Sequence, residues 1–278
     1  MIIVADSGST KTDWLIGTSL KTAQRVRTQG LNPYFVSDDE VVEVLKELLL
    51  QIEDPLAIKG VYFYGSGLSS ALGVHRYKNL FRQCFPTGEV QVHHDLLGAC
   101  LAAAGRESAM VGILGTGANS CVFENGEITH HVPSLGYVLG DEGSGADIGK
   151  RLLRLCMLEG GKTSLSADLF ADLGMSHDEI IARVYQGGLA NRWMAKLTTF
   201  AVKHRSNSKV QEVLNAAFSS FLDDYVCRYP QHKTLRLNMV GSIGIIFKEE
   251  LEAACEARGV KLGKMVKRPI EPLFEHHL

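Results

Sequence analysis

The chain has 278 residues, 45% of them apolar and 22% charged, a balance typical of soluble globular proteins, with length for one large or two medium domains. Its formal net charge of −2 leaves no basic excess to neutralise a phosphate backbone, which argues against a dedicated nucleic-acid binder. No apolar run reaches bilayer-spanning length, and MIIVADSG is too short, and lacks the basic start, to be a secretory signal. The six cysteines (84, 100, 121, 156, 227 and 255) form no CxxC pair and mostly sit among apolar residues, as small core residues of a reducing, cytoplasmic protein do. His93–His94 and His130–His131 lack the spacing of a zinc site on one helix face.

In chain order, residues 1–5 (MIIVA) and 13–16 (DWLI) are apolar runs around a Gly/Ser/Thr stretch, and a third extended segment covers 23–28. Within 39–52, Val41, Val44, Leu45, Leu48, Leu49 and Ile52 recur at helical spacing, with Ser37, Asp38 or Asp39 as the N-cap. A strand at 60–64, a helix near 75–85, a strand at 89–93 and a small-residue helix at 96–104 complete a βββαβαβα series. That alternation implies an α/β layered domain.

The pattern then restarts. MIIVADSGSTKTDWLIG (1–17) lies over MVGILGTGANSCVFENG (110–126) at a constant offset of 109, matching Met1 to Met110, Gly8 to Gly117 and Gly17 to Gly126. A third extended piece follows again at 128–132, then a helix beginning near Ser144. Chance likeness of two hairpins is one reading; a duplicated α/β domain is the other, with the short join at 105–109 packing the halves around a cleft.

Four segments carry the chemistry, and each reads as a loop after an apolar strand: DSGSTKT (6–12), GTGANS (115–120), LGDEGSG (139–145) and VGSIG (240–244), the last leading into a helix at 245–258. None fits the Walker pattern, and GSGLSS (65–70) lacks the third glycine of a dinucleotide fingerprint. Glycine lets the backbone approach an oxyanion, successive N–H groups form an anion nest, and Lys11 adds a point charge. Paired loops in paired halves suit a triphosphate held from both sides, with Asp6 facing a metal ion; an ordinary hairpin turn is the plainer reading of 6–12. Asp95, at the end of EVQVHH, reads either as the N-cap of the next helix or as a general base aimed at an alcohol. Asp141 and Glu142 either cap the helix at 144 or bind sugar hydroxyls, and Asn32, before Pro33, reads as a turn residue.

Taken together, DSGSTKTDW, GLNPY, HHDLLGA, ILGTGANS, LGDEGSGADIGK and VGSIG resemble the N-acetylglucosamine kinase family, within the BadF/BadG-type ATPase group of the sugar kinase/actin superfamily. The resemblance runs in order through most of the chain and thins out between 160 and 230. It implies two duplicated ribonuclease H-like, actin-like domains, 1–107 (joined by a final helix near 270–278) and 108–269, with ATP in the cleft. It implies phosphate binding by Asp6, Gly8, Ser9, Thr10, Lys11, Gly115, Thr116 and Gly117, with Asp6 placing Mg²⁺ through water. Gly241, Ser242 and Gly244 then line the adenosine pocket, and Asn32, Thr116, Gly117, Asn119 and Asp141 contact an amino sugar whose C6 hydroxyl is deprotonated by Asp95. Dimerisation is suggested by the resemblance alone. The chain departs from the family in its short length and in Ile243, where a small residue is usual, while Tyr34 supplies an aromatic near the expected sugar contact. A second reading from the same group is an ATP-hydrolysing activator of a reductase or dehydratase, for which Cys121 and Cys156 are the available cluster ligands. A sugar-binding regulator without catalysis is a third.

Overall fold

The computed structural model describes residues 1–86 and 88–278. The first half runs β1 (Ile2–Ser7), β2 (Lys11–Gly17), β3 (Gln24–Gln29), α1 (Asp38–Leu49), β4 (Gly60–Gly65), α2 (Ala71–Cys84), β5 (Glu89–His94) and α3 (Asp95–Ala103). The second opens alike with β6 (Ala109–Leu114), β7 (Ala118–Glu124) and β8 (Glu127–His131). Seven helices follow: α4 (Gly136–Leu139), α5 (Gly145–Glu159), α6 (Ser164–Leu173), α7 (His177–Tyr185), α8 (Ala190–Lys196), α9 (Thr198–Lys203) and α10 (Ser208–Asp224). The chain ends with β9 (Arg236–Val240), α11 (Ser242–Ile246), α12 (Lys248–Glu256), β10 (Lys261–Val266) and α13 (Ile270–His276).

The strand orders β3-β2-β1-β4-β5 and β8-β7-β6-β9-β10 are the same order twice, so the fold is a duplicated α/β architecture. The hairpins, however, correspond at 107 residues rather than 109: Ile2 with Ala109, Ser7 with Leu114, Lys11 with Ala118, Gly17 with Glu124. A slip of two keeps every side chain on the same sheet face, which is why apolar positions coincide at either offset. Structurally, Gly8 therefore corresponds to Gly115 rather than Gly117.

Contacts divide the chain into two compact units, Met1–Val111 with Phe123–Ile128 and Val266–Leu278, and Gly112–Val122 with Thr129–Met265. In the first, β1 alternates: Ile3 and Ala5 pack with Val41, Leu45, Tyr77 and Phe81 of α1 and α2, while Val4 packs with Ala102, Leu273 and Phe274 of α3 and α13. Ser37 caps α1 in a reciprocal box with Glu40, and three acids follow in its first turn. Strands β1, β4 and β5 are parallel, with Ser7, Gly65 and His94 aligned at their carboxyl ends, the end at which open α/β sheets bind ligands. In the second unit, the segment 160–230 forms α6 to α10, and the helix expected at 245–258 is broken at Phe247 into α11 and α12. The loop 139–145 follows the single turn α4 rather than a strand.

Candidate active site

In the first unit, Gly8, Ser9 and Thr10 form the tip between β1 and β2. Gly8 N–H donates to Lys11 O (3.0 Å), and Gly30 N–H donates to Thr10 O (3.1 Å). Gly30 has no substitute here, because a Cβ would lie 2.4 Å from Gly8 O and 2.7 Å from Ser9 O. Beneath the tip, Thr12 Oγ1 donates to Gln29 O (2.9 Å), so its 2.8 Å contact with Ser7 Oγ takes the Ser7 proton; Ser7 Oγ in turn accepts Leu31 N–H (3.0 Å). Ser7 and Thr12 are thus braces beneath the tip.

Asn32 is buried and fully engaged at nitrogen: Nδ2 donates to Ser9 Oγ and Ser66 Oγ (3.1 Å each), while Oδ1 accepts Tyr34 N–H (3.0 Å). Towards a ligand it therefore offers an acceptor oxygen only. Gly67 leaves room for this amide, since a Cβ there would lie 2.6 Å from Asn32 Oδ1. Tyr34 is 75% exposed.

Asp95 is not the N-cap. His94 holds that place, its Nδ1 accepting Leu97 N–H (3.3 Å), and Asp95 is the first residue of α3 proper. Gly98 lets α3 sit close against β4, where a Cβ would lie 2.9 Å from Tyr64 Cβ. The carboxyl of Asp6 is pushed up to about 7, first by burial, then by the charges of Asp95 and Asp13, against the pull of Lys11. Lys11 itself pairs with Asp13, its neighbour two residues on, and Arg27 Nε takes the other oxygen of Asp13 at 2.7 Å. Despite burial, those hydrogen bonds hold Asp13 below the usual carboxylate range.

In the second unit, Gly115 N–H donates to Gly117 O (3.0 Å), while Gly115 O and Thr116 O accept the first amides of α5, Gly145 N–H (2.8 Å) and Ala146 N–H (3.1 Å). The 115–117 tip is thereby clamped to that helix start. Asp141 and Glu142 do not cap α5; Ser144 does, accepting Asp147 N–H at 3.2 Å. Asp141 Oδ1 instead accepts Ala118 N–H (3.0 Å), and a Cβ on Gly117 would lie 2.8 Å from Asp141 Oδ2. Burial raises the pKa of Asp141, and Glu142 adds to the shift, against the Ala118 N–H. Asn119 Oδ1 accepts both Ser120 N–H (2.9 Å) and His131 Nε2–H (3.0 Å), so what this side chain can offer a ligand is its Nδ2 donors. Gly241 has φ 109°, and a Cβ there would lie 2.4 Å from Leu114 O, so β6 and β9 can end side by side only with glycine at 241. Ile243 is buried, with its Cδ1 3.3 Å from where a Cβ on Gly145 would lie.

No family model matches the chain. A solved structure from Porphyromonas gingivalis, provisionally named an N-acetylglucosamine kinase, superposes with a TM-score of 0.93 over 100% of this chain and 98% of its own, at 32% identity. The chain belongs to the N-acetylglucosamine kinase family. The N-acetylmuramic acid/N-acetylglucosamine kinase of Clostridium acetobutylicum is 26% identical over 209 residues, which span 71% of this chain and 68% of that protein. A ROK family glucokinase from Streptomyces griseus, solved with glucose and AMPPNP, shares the fold at a TM-score of 0.56 and 11% identity, over 99% of this chain and 98% of its own.

Within each unit of this sugar kinase, the expected residues gather at strand ends. Asp6, Gly8, Ser9, Thr10 and Lys11 share one tip, with Asn32 bonded to it and Asp95 at the end of β5. Gly115, Thr116, Gly117, Asn119 and Asp141 share another, with Gly241 against Leu114, and Ser242 and Gly244 in the short α11. Reasoning from sequence passed over Gly30 and Ser66. Gly30 opens the quoted GLNPY, two residues before Asn32, and Ser66 lies in the GSGLSS run, which lacks the dinucleotide fingerprint and instead helps hold Asn32. Tyr225 and His131 had no local signal, because their partners lie 84 and 12 positions away in sequence. Cys121 and Cys156 are both fully buried, and the described residues hold no group of three or more His, Cys, Asp or Glu able to bind a metal. No helix of the described residues is long and apolar enough to cross a membrane.

Proposed function

We propose that this kinase transfers the γ-phosphoryl group of ATP to the C6 hydroxyl of N-acetylglucosamine or a closely related amino sugar. The observation that carries the reading is Asp95: it stands at the carboxyl end of β5 as the first residue of α3, close enough to Asp6 for its charge to raise that carboxyl's pKa. In the proposed step, the sugar O6 attacks the γ-phosphorus as the bond from phosphorus to the β,γ-bridging oxygen breaks. The hydroxyl proton passes to Asp95 and ADP leaves. The tip at 8–11 and the tip at 115–117 bind the nucleotide's phosphates through backbone amides and hydroxyls, and Gly241, Ser242 and Gly244 adjoin the adenosine. Asn32, Thr116, Gly117, Asn119 and Asp141 contact the sugar, Asn32 as an acceptor and Asn119 as a donor.

The charges around Asp6 fit a divalent cation. Its carboxyl is burdened by Asp95 and Asp13, while the nearest cation, Lys11, is engaged with Asp13. Mg²⁺, held at Asp6 through water, supplies charge neutralisation on the transferring phosphates, and one or two carboxylates are its usual protein complement. The relatives named for N-acetylglucosamine and N-acetylmuramic acid support an amino-sugar acceptor. The protein works without a membrane or nucleic acid in this reading, and the cytoplasm supplies ATP.

The test is ADP release measured with Mg²⁺ over a panel of hexoses and amino sugars. N-acetylglucosamine should raise turnover well above background, with phosphate appearing at C6 by NMR; a panel in which no sugar does so overturns the kinase reading. Asp95→Asn should retain ATP binding and lose about three orders of magnitude in kcat, and near-normal turnover would remove Asp95 from the mechanism.

A further inference from the structure

Tyr225 lies just past α10, inside the helical segment that carries no motif, and is 3% exposed. Its hydroxyl donates to Glu142 Oε2 at 2.8 Å and accepts the backbone N–H of Asp141 at 3.3 Å. Gly140 makes the approach feasible, since a Cβ there would lie 2.7 Å from the Tyr225 oxygen. Phe221 packs against the Tyr225 ring at a centroid distance of 5.9 Å, which fixes where the hydroxyl points.

Asp141 has φ 63°, in the left-handed region, where a side-chain-bearing residue is strained unless its surroundings hold it. Two bonds do so. Ala118 N–H holds the carboxylate at 3.0 Å, and Tyr225 holds the amide. Without the Tyr225 hydroxyl, the Asp141 N–H would be buried with no partner, and an extended backbone would become the easier choice. That change would swing the carboxylate away from Gly117 and Ala118.

We propose that Tyr225 is a positioning residue for acceptor recognition, holding Asp141 in its left-handed conformation so that the carboxylate meets the sugar hydroxyls. This rests on the assignment of Asp141 to the sugar. Burial, then Glu142, raises the pKa of the Tyr225 phenol far above the physiological range, so its proton is always available to Glu142. The plainer role, a ring filling core space, makes the hydroxyl dispensable, and Tyr225→Phe separates the two.

Tyr225→Phe should raise the acceptor KM about tenfold, with kcat within threefold and the KM for ATP unchanged. Glu142→Leu, which removes the hydroxyl's acceptor and spares the ring, should shift the same KM in the same direction and serves if Tyr225→Phe does not fold. In the protein without sugar or nucleotide, hydrogen exchange over 139–145 should quicken in Tyr225→Phe while exchange over 150–159 stays as in the wild type. An unchanged acceptor KM, unchanged exchange over 139–145, or equal losses in both KM values and kcat would each overturn the proposal. Were the wild type to phosphorylate no sugar, the kinase reading would fall by its own test, and the exchange result alone would decide whether Tyr225 sets Asp141.

Discussion

At Asp6, burial and the carboxylates of Asp95 and Asp13 outweigh the attraction of Lys11, and the group titrates near 7 instead of 3.8. A carboxyl with a native pKa above its unfolded value binds more protons folded than unfolded, so stability falls as pH rises from about 4 to 7. Asp6→Asn removes that ionisation. The variant should match the wild type in melting temperature at pH 4 and exceed it at pH 8 by about 10 °C, with phosphoryl transfer lost. Adding Mg²⁺ at pH 8 should raise the wild-type midpoint and leave Asp6→Asn where it was. Equal midpoints at pH 8 without Mg²⁺ would mean that Asp6 is not crowded by charge in solution. The same scale separates residue types that look alike in the sequence. Of the hydroxyls in DSGSTKT, Ser7 and Thr12 are spent on each other, Leu31 and Gln29, whereas Ser9 turns towards Asn32.

Between elements, small residues decide how closely the tips are held. Gly30 backs the first tip, and an added Cβ would meet backbone atoms of Gly8 and Ser9, which cannot rotate away as a side chain would. Gly30→Ala should therefore push the 8–10 tip outward, raising the KM for ATP about tenfold and costing about 1–3 kcal/mol of stability, as overpacking does. An ATP KM within twofold of the wild type would show that the tip's placement is not set by the loop behind it. The strand–helix order of the first half was readable from periodicity because each strand and helix there has an apolar face of the right period. The second half was less so. Helices α6 to α10 pack mainly on other helices, and the break at Phe247 follows from packing, since Phe247 is fully buried while Ile246 beside it is exposed. Of the two readings the sequence left open for Asp95, the N-cap rested on Asp being a favoured cap; the His94 ring nitrogen takes that bond one residue earlier.

For the molecule as a whole, duplication accounts for the order of both sheets, and the sequence registered it through turn glycines, although two residues out of step. The site was readable to the extent that its residues lie in short runs after strands; the residues that hold them, Tyr225 and His131, lie 84 and 12 positions from their partners. The chain's end shows the same long-range logic. Helix α13 brings Ile270, Leu273 and Phe274, all buried, onto the sheet face formed by Val4, Leu15 and Tyr64, and His277 Nε2 meets Tyr64 Oη at 2.8 Å while its ring stacks on Tyr62 at 3.7 Å. The last residues of the sequence thus complete the core beneath β1, the strand that carries Asp6. Phe274→Ala should cost about 3–5 kcal/mol, the range for emptying a buried aromatic site, and lower the midpoint of the unit containing β1 by about 10 °C. Hydrogen exchange can assign the loss: amides of β1 and β4 should quicken, while those of β9 keep their protection. A cost below about 1 kcal/mol would mean that α13 covers this face without supporting it. Equal loosening of β9 would mean that the two units unfold together.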